Sequence, residues 1–170
     1  MKNQRQKGAT IIEFIIYIAV LSLLSGVTVS FLARMMHSYA LIRIDKNFSQ
    51  NAALIFERVF NETRHGRLIY TPTTTASQLS VRTSLNPPSD ETFTYVDYYL
   101  DNGVVWEKRE GNAAVSLTGA NVVVSNFDVN RFYSGAAEGV RINLTLTTPV
   151  QNSTLSRTFS WTSSSTLRGF

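Results

Sequence analysis

Between Ala9 and Ala33 the chain carries a single charge, Glu13, in the otherwise nearly unbroken apolar run ATIIEFIIYIAVLSLLSGVTVSFLA. As a helix rising about 1.5 Å per residue this run extends about 37 Å, more than the roughly 30 Å hydrocarbon core of a bilayer. Three cations, Lys2, Arg5 and Lys7, precede it, and none follows until Arg34. That asymmetry predicts an N-terminus held in the cytoplasm and a remainder carried across the membrane. The same three residues supply most of the net charge of +4, because the thirteen basic and twelve acidic residues beyond Gly8 nearly cancel. A neutral remainder projects no broad field for phosphate, which argues against a nucleic-acid partner.

Composition narrows the chemistry. Charged residues make up 16% and hydrophobic residues 44% of the 170, against about 25% charged in ordinary soluble domains, so the chain leans toward a membrane or an assembly and away from intrinsic disorder. There is no cysteine, which removes disulfides, thiolate metal sites and cysteine nucleophiles. His37 and His65 are the only histidines, too few for a histidine-built centre. No Gly-rich phosphate loop follows a strand pattern, and the chain reads as a non-enzyme needing neither metal nor cofactor. Asp97 and Asp101 lie four apart at a strand end, but the six to eight oxygen ligands typical of calcium are not evident around them; they read as a solvated turn. The sequons at Asn47, Asn61, Asn143 and Asn152 are expected in a chain this rich in Ser and Thr.

The placement of Glu13 decides between kinds of apolar segment. A cleaved secretory signal has an apolar middle of about 7 to 15 residues followed by small residues at its cleavage site, and only weak candidates stand near Ser30. A plain signal anchor explains the cations but not a carboxylate near the cytoplasmic end of the span, where a charge costs on the order of a few kcal/mol and marks a function. A helix buried in a soluble core has no use for the basic leader.

Lys7-Gly8, then Ala9-Thr10-Ile11-Ile12-Glu13, then a long apolar helix together resemble the class III signal of type IV prepilins and of the pseudopilins of type II secretion. The resemblance implies that a membrane aspartic protease, the prepilin peptidase, cuts between Gly8 and Ala9 on the cytoplasmic side and methylates the new amine of Ala9. It also implies a role for Glu13, which is fifth in the mature chain, as glutamate is in the family. Cutting removes all three leader cations and leaves one amine close to Glu13 along the helix. The resemblance further implies that each Glu13 meets the amine of a neighbouring subunit; a buried carboxylate tolerates that site only when paired, so the pair sets axial register between apolar helices. The family usually begins its mature chain with phenylalanine where this sequence has Ala9. Its major pilins often place a proline along the apolar helix, whereas this span offers only Gly26 as a soft point.

Past the span, Leu41, Ile44, Phe48, Ala52, Ile55 and Val59 recur in steps of three and four, the stripe of an amphipathic helix, with Phe56 and Phe60 widening it. Arg64 and His65 suit a helix C-terminus, and Gly66 suits the residue just past it. One helix through residue 65 is expected. Beyond Gly66 the period changes to that of strands. A short strand is expected at 78–82, then a hairpin in which TFTYVDYYL and VVWEKRE flank Asp101-Asn102-Gly103. Another strand is expected at 121–132, and two with clear alternation at 140–147 and 154–162, the last pointing Leu155, Phe159 and Trp161 one way. The expected organisation is a cleaved leader at 1–8, a transmembrane and assembly helix at 9–33, its amphipathic extension at 34–66 and a β-sheet head at 67–170. The expected class is α+β, an antiparallel sheet laid on the outer half of a long N-terminal helix, which is the pilin-like lollipop that the resemblance implies. The aromatic-flanked helix FERVFNETRHGR and the closing LSRTFSWTSSSTLRG are most similar to minor pilins or J-type minor pseudopilins.

The functional expectation is a structural subunit of a type IV pilus or type II secretion pseudopilus. Its partners would be other pilin or pseudopilin subunits, the prepilin peptidase and the inner-membrane assembly platform; its location would be the inner membrane and then the filament. Two alternatives stand beside it: a surface-adhesin or DNA-uptake minor pilin, in which Arg64, His65, Arg67 and Tyr70 would form a basic and aromatic patch, and an unprocessed single-pass anchored domain.

Overall fold

The computed structural model describes residues 11–71, 73–149 and 155–168. One helix, α1 (Ile11–His65), precedes eight strands: β1 (Gly66–Ile69), β2 (Gln78–Thr83), β3 (Thr94–Asp101), β4 (Val104–Arg109), β5 (Val115–Ser116), β6 (Val123–Ser134), β7 (Ala137–Thr147) and β8 (Thr158–Thr166). The chain divides into two compact units, one ending at Ile42 and one beginning at Arg43. The helix persists because neither glycine nor proline interrupts it between Val27 and His65.

In the second unit the helical stripe is the floor of the core. Phe48, Ala52, Ile55 and Val59 are buried, with Ile44 and Phe56 packed at the margin, against Leu79, Val81, Val96 and Val105 on one side and Phe127, Ile142, Leu144 and Leu146 on the other. The protein is therefore α+β, a long N-terminal helix packed on an antiparallel head. The head holds two sheets rather than the single one expected: a five-stranded sheet in the order β1-β2-β3-β4-β5 and a three-stranded sheet in the order β6-β7-β8. They are stitched together by backbone bonds from Val124 to the Gly103 carbonyl (2.8 Å) and from Val129 to the Ala76 carbonyl (2.7 Å).

The β3–β4 hairpin turns as its sequence demands. Asn102 and Gly103 have φ of 49° and 78°, the two positive angles that an Asn-Gly pair supplies most easily. Gly66 departs from expectation. It is not among the glycines of positive φ, so it is no left-handed helix cap; it opens β1 directly. A Cβ there would lie 2.6 Å from Val81 Cγ1 and 3.0 Å from both the Glu62 carbonyl oxygen and Leu167 Cδ2. Glycine is required by the closeness of helix end, β2 and C-terminal segment.

Two strands differ in extent from the sequence reading, β6 running Val123–Ser134, two residues later than expected. In β6 the inward residues change from Val124 to Phe127 and Val129, and a bulge between Val124 and Asn126 absorbs the extra residue. The last strand runs Thr158–Thr166, four residues later than expected: Leu155 lies outside it, Thr154 lies outside the described residues, and the inward row continues from Phe159 and Trp161 through Ser163 to buried Ser165.

Polar ties join helix to sheet inside this core. The wholly buried Tyr98 donates its hydroxyl to the Arg58 carbonyl of α1 at 3.3 Å. Burial pushes its phenol pKa well above the ordinary tyrosine range, and the negative charges of Glu107 and Glu62 push the same way. Nearby, Arg109 on β4 is ion-paired to buried Glu62 on α1 and donates to the Leu85 carbonyl at 2.8 Å.

Because the folded state favours the neutral phenol, the stability contributed by Tyr98 is fully present below the unfolded tyrosine pKa of about 10 and is lost as pH rises above it. Tyr98→Phe, which keeps the ring, is expected to cost about 1 kcal/mol at neutral pH and to decline less steeply than wild type in denaturant titrations between about pH 9 and 11. For the ion pair, Arg109→Met alone is expected to cost about 3 to 5 kcal/mol by stranding a buried carboxylate, and Glu62→Leu combined with Arg109→Met to recover most of that loss. Full-length protein in detergent serves both measurements.

Candidate assembly surface on the N-terminal helix

The described part of the first unit is α1 from Ile11 to Ile42, and every residue from Ile11 to Tyr39 is exposed. Ile11 is 80% exposed, Ile18 51% and Phe31 60%. Contiguous apolar surface of this extent marks a surface that lipid or another chain covers. Near the N-terminus α1 is also the one helix among the described residues long and apolar enough to cross a membrane.

The few polar groups in this stretch are handled inside the helix. Ser22 donates to the Ala19 carbonyl (2.9 Å), Ser25 to Leu21 (2.8 Å) and Thr28 to Leu24 (2.8 Å), the back-bonding that lets a hydroxyl enter an apolar medium at little cost. Gly26 is helical, so it neither breaks nor ends α1, and a Cβ there would meet nothing within 4 Å. Beside it a shallow groove is lined by Ser22, Leu23, Val27, Ser30, Phe31 and Arg34.

Glu13 stands in the first turn, where the positive end of the helix dipole favours a carboxylate. Tyr17, one turn on, donates its hydroxyl to Glu13 Oε1 at 3.0 Å. This partner was legible in principle, since residues four apart share a helix face, but Tyr17 reads as one more aromatic in an apolar run. The pair aims an acid along the flank of α1 and supplies it with a hydrogen-bond donor. Gly8, Ala9, Lys2, Arg5 and Lys7 lie outside the described residues.

The other candidates disperse. Asp97 accepts from Ser80 Oγ at 2.5 Å, and Ser80 from Thr73 Oγ1 at 2.6 Å; Asp101 accepts from the side chain of Asn102 in the turn at 3.1 Å. The two carboxylates thus have separate partners, and no group of three or more His, Asp or Glu able to hold a metal occurs among the described residues. His37 is exposed on α1, and His65 Nδ1 lies 2.9 Å from the Asn61 carbonyl oxygen. Arg64 and Tyr70 do not converge: Arg64 shares a depression with Phe132 and Arg168, whereas Tyr70 shares another with Tyr95, Asp97, Lys108 and Glu110. Of the aromatics on β3, Tyr98 is core and Tyr95 packs edge-on against Tyr70 and Phe93.

Comparison with protein-family models, curated proteins and solved structures finds no match to this chain. Its own geometry therefore carries the functional argument.

The absence of native cysteine permits a clean test of the exposed helix. In membranes, a cysteine replacing Val20 is expected to resist a charged maleimide while one replacing Ser38 reacts, and both should react after solubilisation in denaturing detergent. Equal labelling of the two in intact membranes would show that position 20 faces water and that the span does not lie in lipid.

Proposed function

We propose that this chain is a structural subunit of a type IV pilus or type II secretion pseudopilus, of the minor pilin or pseudopilin kind. In this reading the prepilin peptidase cuts after Gly8 and methylates Ala9. The helix holds the subunit in the cytoplasmic membrane with its N-terminus inside and its head outside, and the assembly platform then draws it into a filament of like subunits. The observation that carries the reading is the pairing of a fully exposed apolar helix with one acid, Glu13, held by Tyr17 near its N-terminal end.

The mechanism follows from solvent exchange. In the bilayer the apolar side chains of α1 meet lipid; in a filament they meet one another, a trade with little net hydrophobic gain because lipid is as apolar as leucine. Specificity must then come from the polar exception. A neighbour's N-terminal amine meeting Glu13 supplies it, because a buried charge without its partner is strongly penalised whereas a matched pair is tolerated. Register along the helix is thereby set at one point, and Tyr17 restricts the rotamers from which the carboxylate reaches it.

Glu13→Gln is expected to leave membrane insertion and cleavage intact, since losing a charge makes the span more apolar, and to abolish incorporation at a cost of about 3 to 5 kcal/mol. Replacing Gly8 with a bulky residue should leave the N-terminus uncut. The readouts are the N-terminal sequence of membrane-purified protein and the recovery of cleaved protein in sheared filaments or in crosslinks to partner subunits. An uncut N-terminus on filament-bound protein, or wild-type incorporation of Glu13→Gln, would overturn the proposal; a plain anchor predicts both no cleavage and no defect.

A further inference from the structure

The four outer edges of the two sheets are unequal. In the five-stranded sheet, β1 has four residues and a register irregularity between Gly66 and Leu68, and β5 has two residues. In the three-stranded sheet, β6 is partly covered, since Val124 and Val129 bond to Gly103 and Ala76. The remaining edge is β8, nine residues long and paired only with β7, in an unbroken register from Gly139↔Thr166 to Thr147↔Thr158. Among the described residues, no backbone bond joins Thr158–Thr166 to anything on the side away from β7.

Edges of this length are ordinarily blunted by charge, proline, a bulge or a covering element. The sequence TFSWTSSST contains no charged residue and no proline. Apart from Phe159, which packs on Phe48, its exposed side chains form one row, Thr158, Ser160, Thr162, Ser164 and Thr166, all small hydroxyls, and two of them are held flat against β7, Ser160 with Thr145 at 2.9 Å and Thr162 donating to Asn143 at 2.8 Å. Nothing on this row obstructs an incoming backbone. An alternating row of N–H and C=O groups is matched most fully by another extended chain.

Charge at the two ends says which chain. Exposed Arg157 and Arg168 bracket the strand. At the Arg168 end, Arg64 of α1 joins Arg168, Phe132 and residues 164–166 in a depression of about 420 Å³ whose lining contains no carboxylate. None of these arginines makes an ion pair among the described residues. A second copy is a poor occupant: two β8 strands paired antiparallel about Thr162 would set Arg157 of each opposite Leu167 of the other, one residue from its Arg168, and so gather cations at both ends of the pair, where like charges repel.

We propose that β8 is a strand-addition site that takes an extended, uncharged segment of a different protein chain, with acidic residues at both ends of that segment, as a fourth strand beside β6-β7-β8. The proposal is independent of the pilin reading, since it needs only the folded head.

The test uses full-length protein in detergent, amide hydrogen exchange resolved along β8, and a synthetic peptide, acetyl-Glu-Thr-Val-Thr-Val-Thr-Val-Thr-Glu-amide. Every second amide of β8 should exchange fast in the free protein and slow at least tenfold with saturating peptide. A version with lysine at both ends should bind at least fivefold more weakly, and a version N-methylated at every central residue should give no protection. Arg157→Glu combined with Arg168→Glu should reverse the preference between the acidic and basic peptides without altering exchange in β2 and β3, which reports that the head remains folded. The proposal falls if the acidic peptide gives no protection at millimolar concentration, or if the basic peptide protects equally. It falls also if β8 becomes protected without peptide as protein concentration rises, which would make a second copy the occupant.

Discussion

Burial of Phe48, Ala52, Ile55 and Val59 against residues of both sheets is the contact on which the head depends. The five-stranded sheet and the three-stranded sheet meet through few backbone bonds of their own, and each would otherwise expose one apolar face. The helix stripe covers both faces at once, at about 1.5 to 3 kcal/mol for each large side chain removed from water. Everything else in the head is arranged around that shared floor. Tyr98 and Arg109 bind the five-stranded sheet to the helix at Arg58 and Glu62, and Phe159 of the three-stranded sheet packs edge-on against Phe48, ring centroids 5.6 Å apart.

The two stretches of α1 solve opposite solvation problems with the same backbone. Up to Ile42 the polar side chains are few, and Ser22, Ser25 and Thr28 return their protons to carbonyls of their own helix, so the surface offers an apolar environment almost nothing to satisfy. From Arg43 onward polar groups are used as connectors, and Glu62, one of the most costly groups to bury, is sited where a guanidinium of the sheet can reach it. Glu13 resembles Glu62 in kind but sits in the first stretch, which is why it stands out.

Features that depend on local chemistry were visible in the residues: the helix and its stripe, the Asn-Gly hairpin, the alternation in β7. Features that depend on meeting something distant were not. Gly66 has the same sequence context whether it caps a helix or clears space for Val81 and Leu167. The division into two sheets leaves no mark on the alternation within any strand, and β1 and β5 are too short to show a period. The final strand misled for a chemical reason: Ser163 and Ser165 face inward near the helix end, so its inner row loses its apolar signature after Trp161, and the pattern appeared to stop where the strand continues. At the candidate surface the acid itself was legible as an isolated charge, whereas its tyrosine was hidden among apolar neighbours.

The junction at Gly66 also governs how load travels. α1 ends at His65 and β1 begins at the next residue, so there is no linker to straighten, and the crowding of Gly66 against Val81 and Leu167 leaves no room for the junction to swivel. A pull on the end of the helix is therefore handed to β1 without slack, and β1 is tied to β2 by the antiparallel ladder from Gly66↔Thr83 to Ile69↔Val81. Helix and sheet are thus coupled with no intervening residue that could lengthen before the ladder itself is loaded.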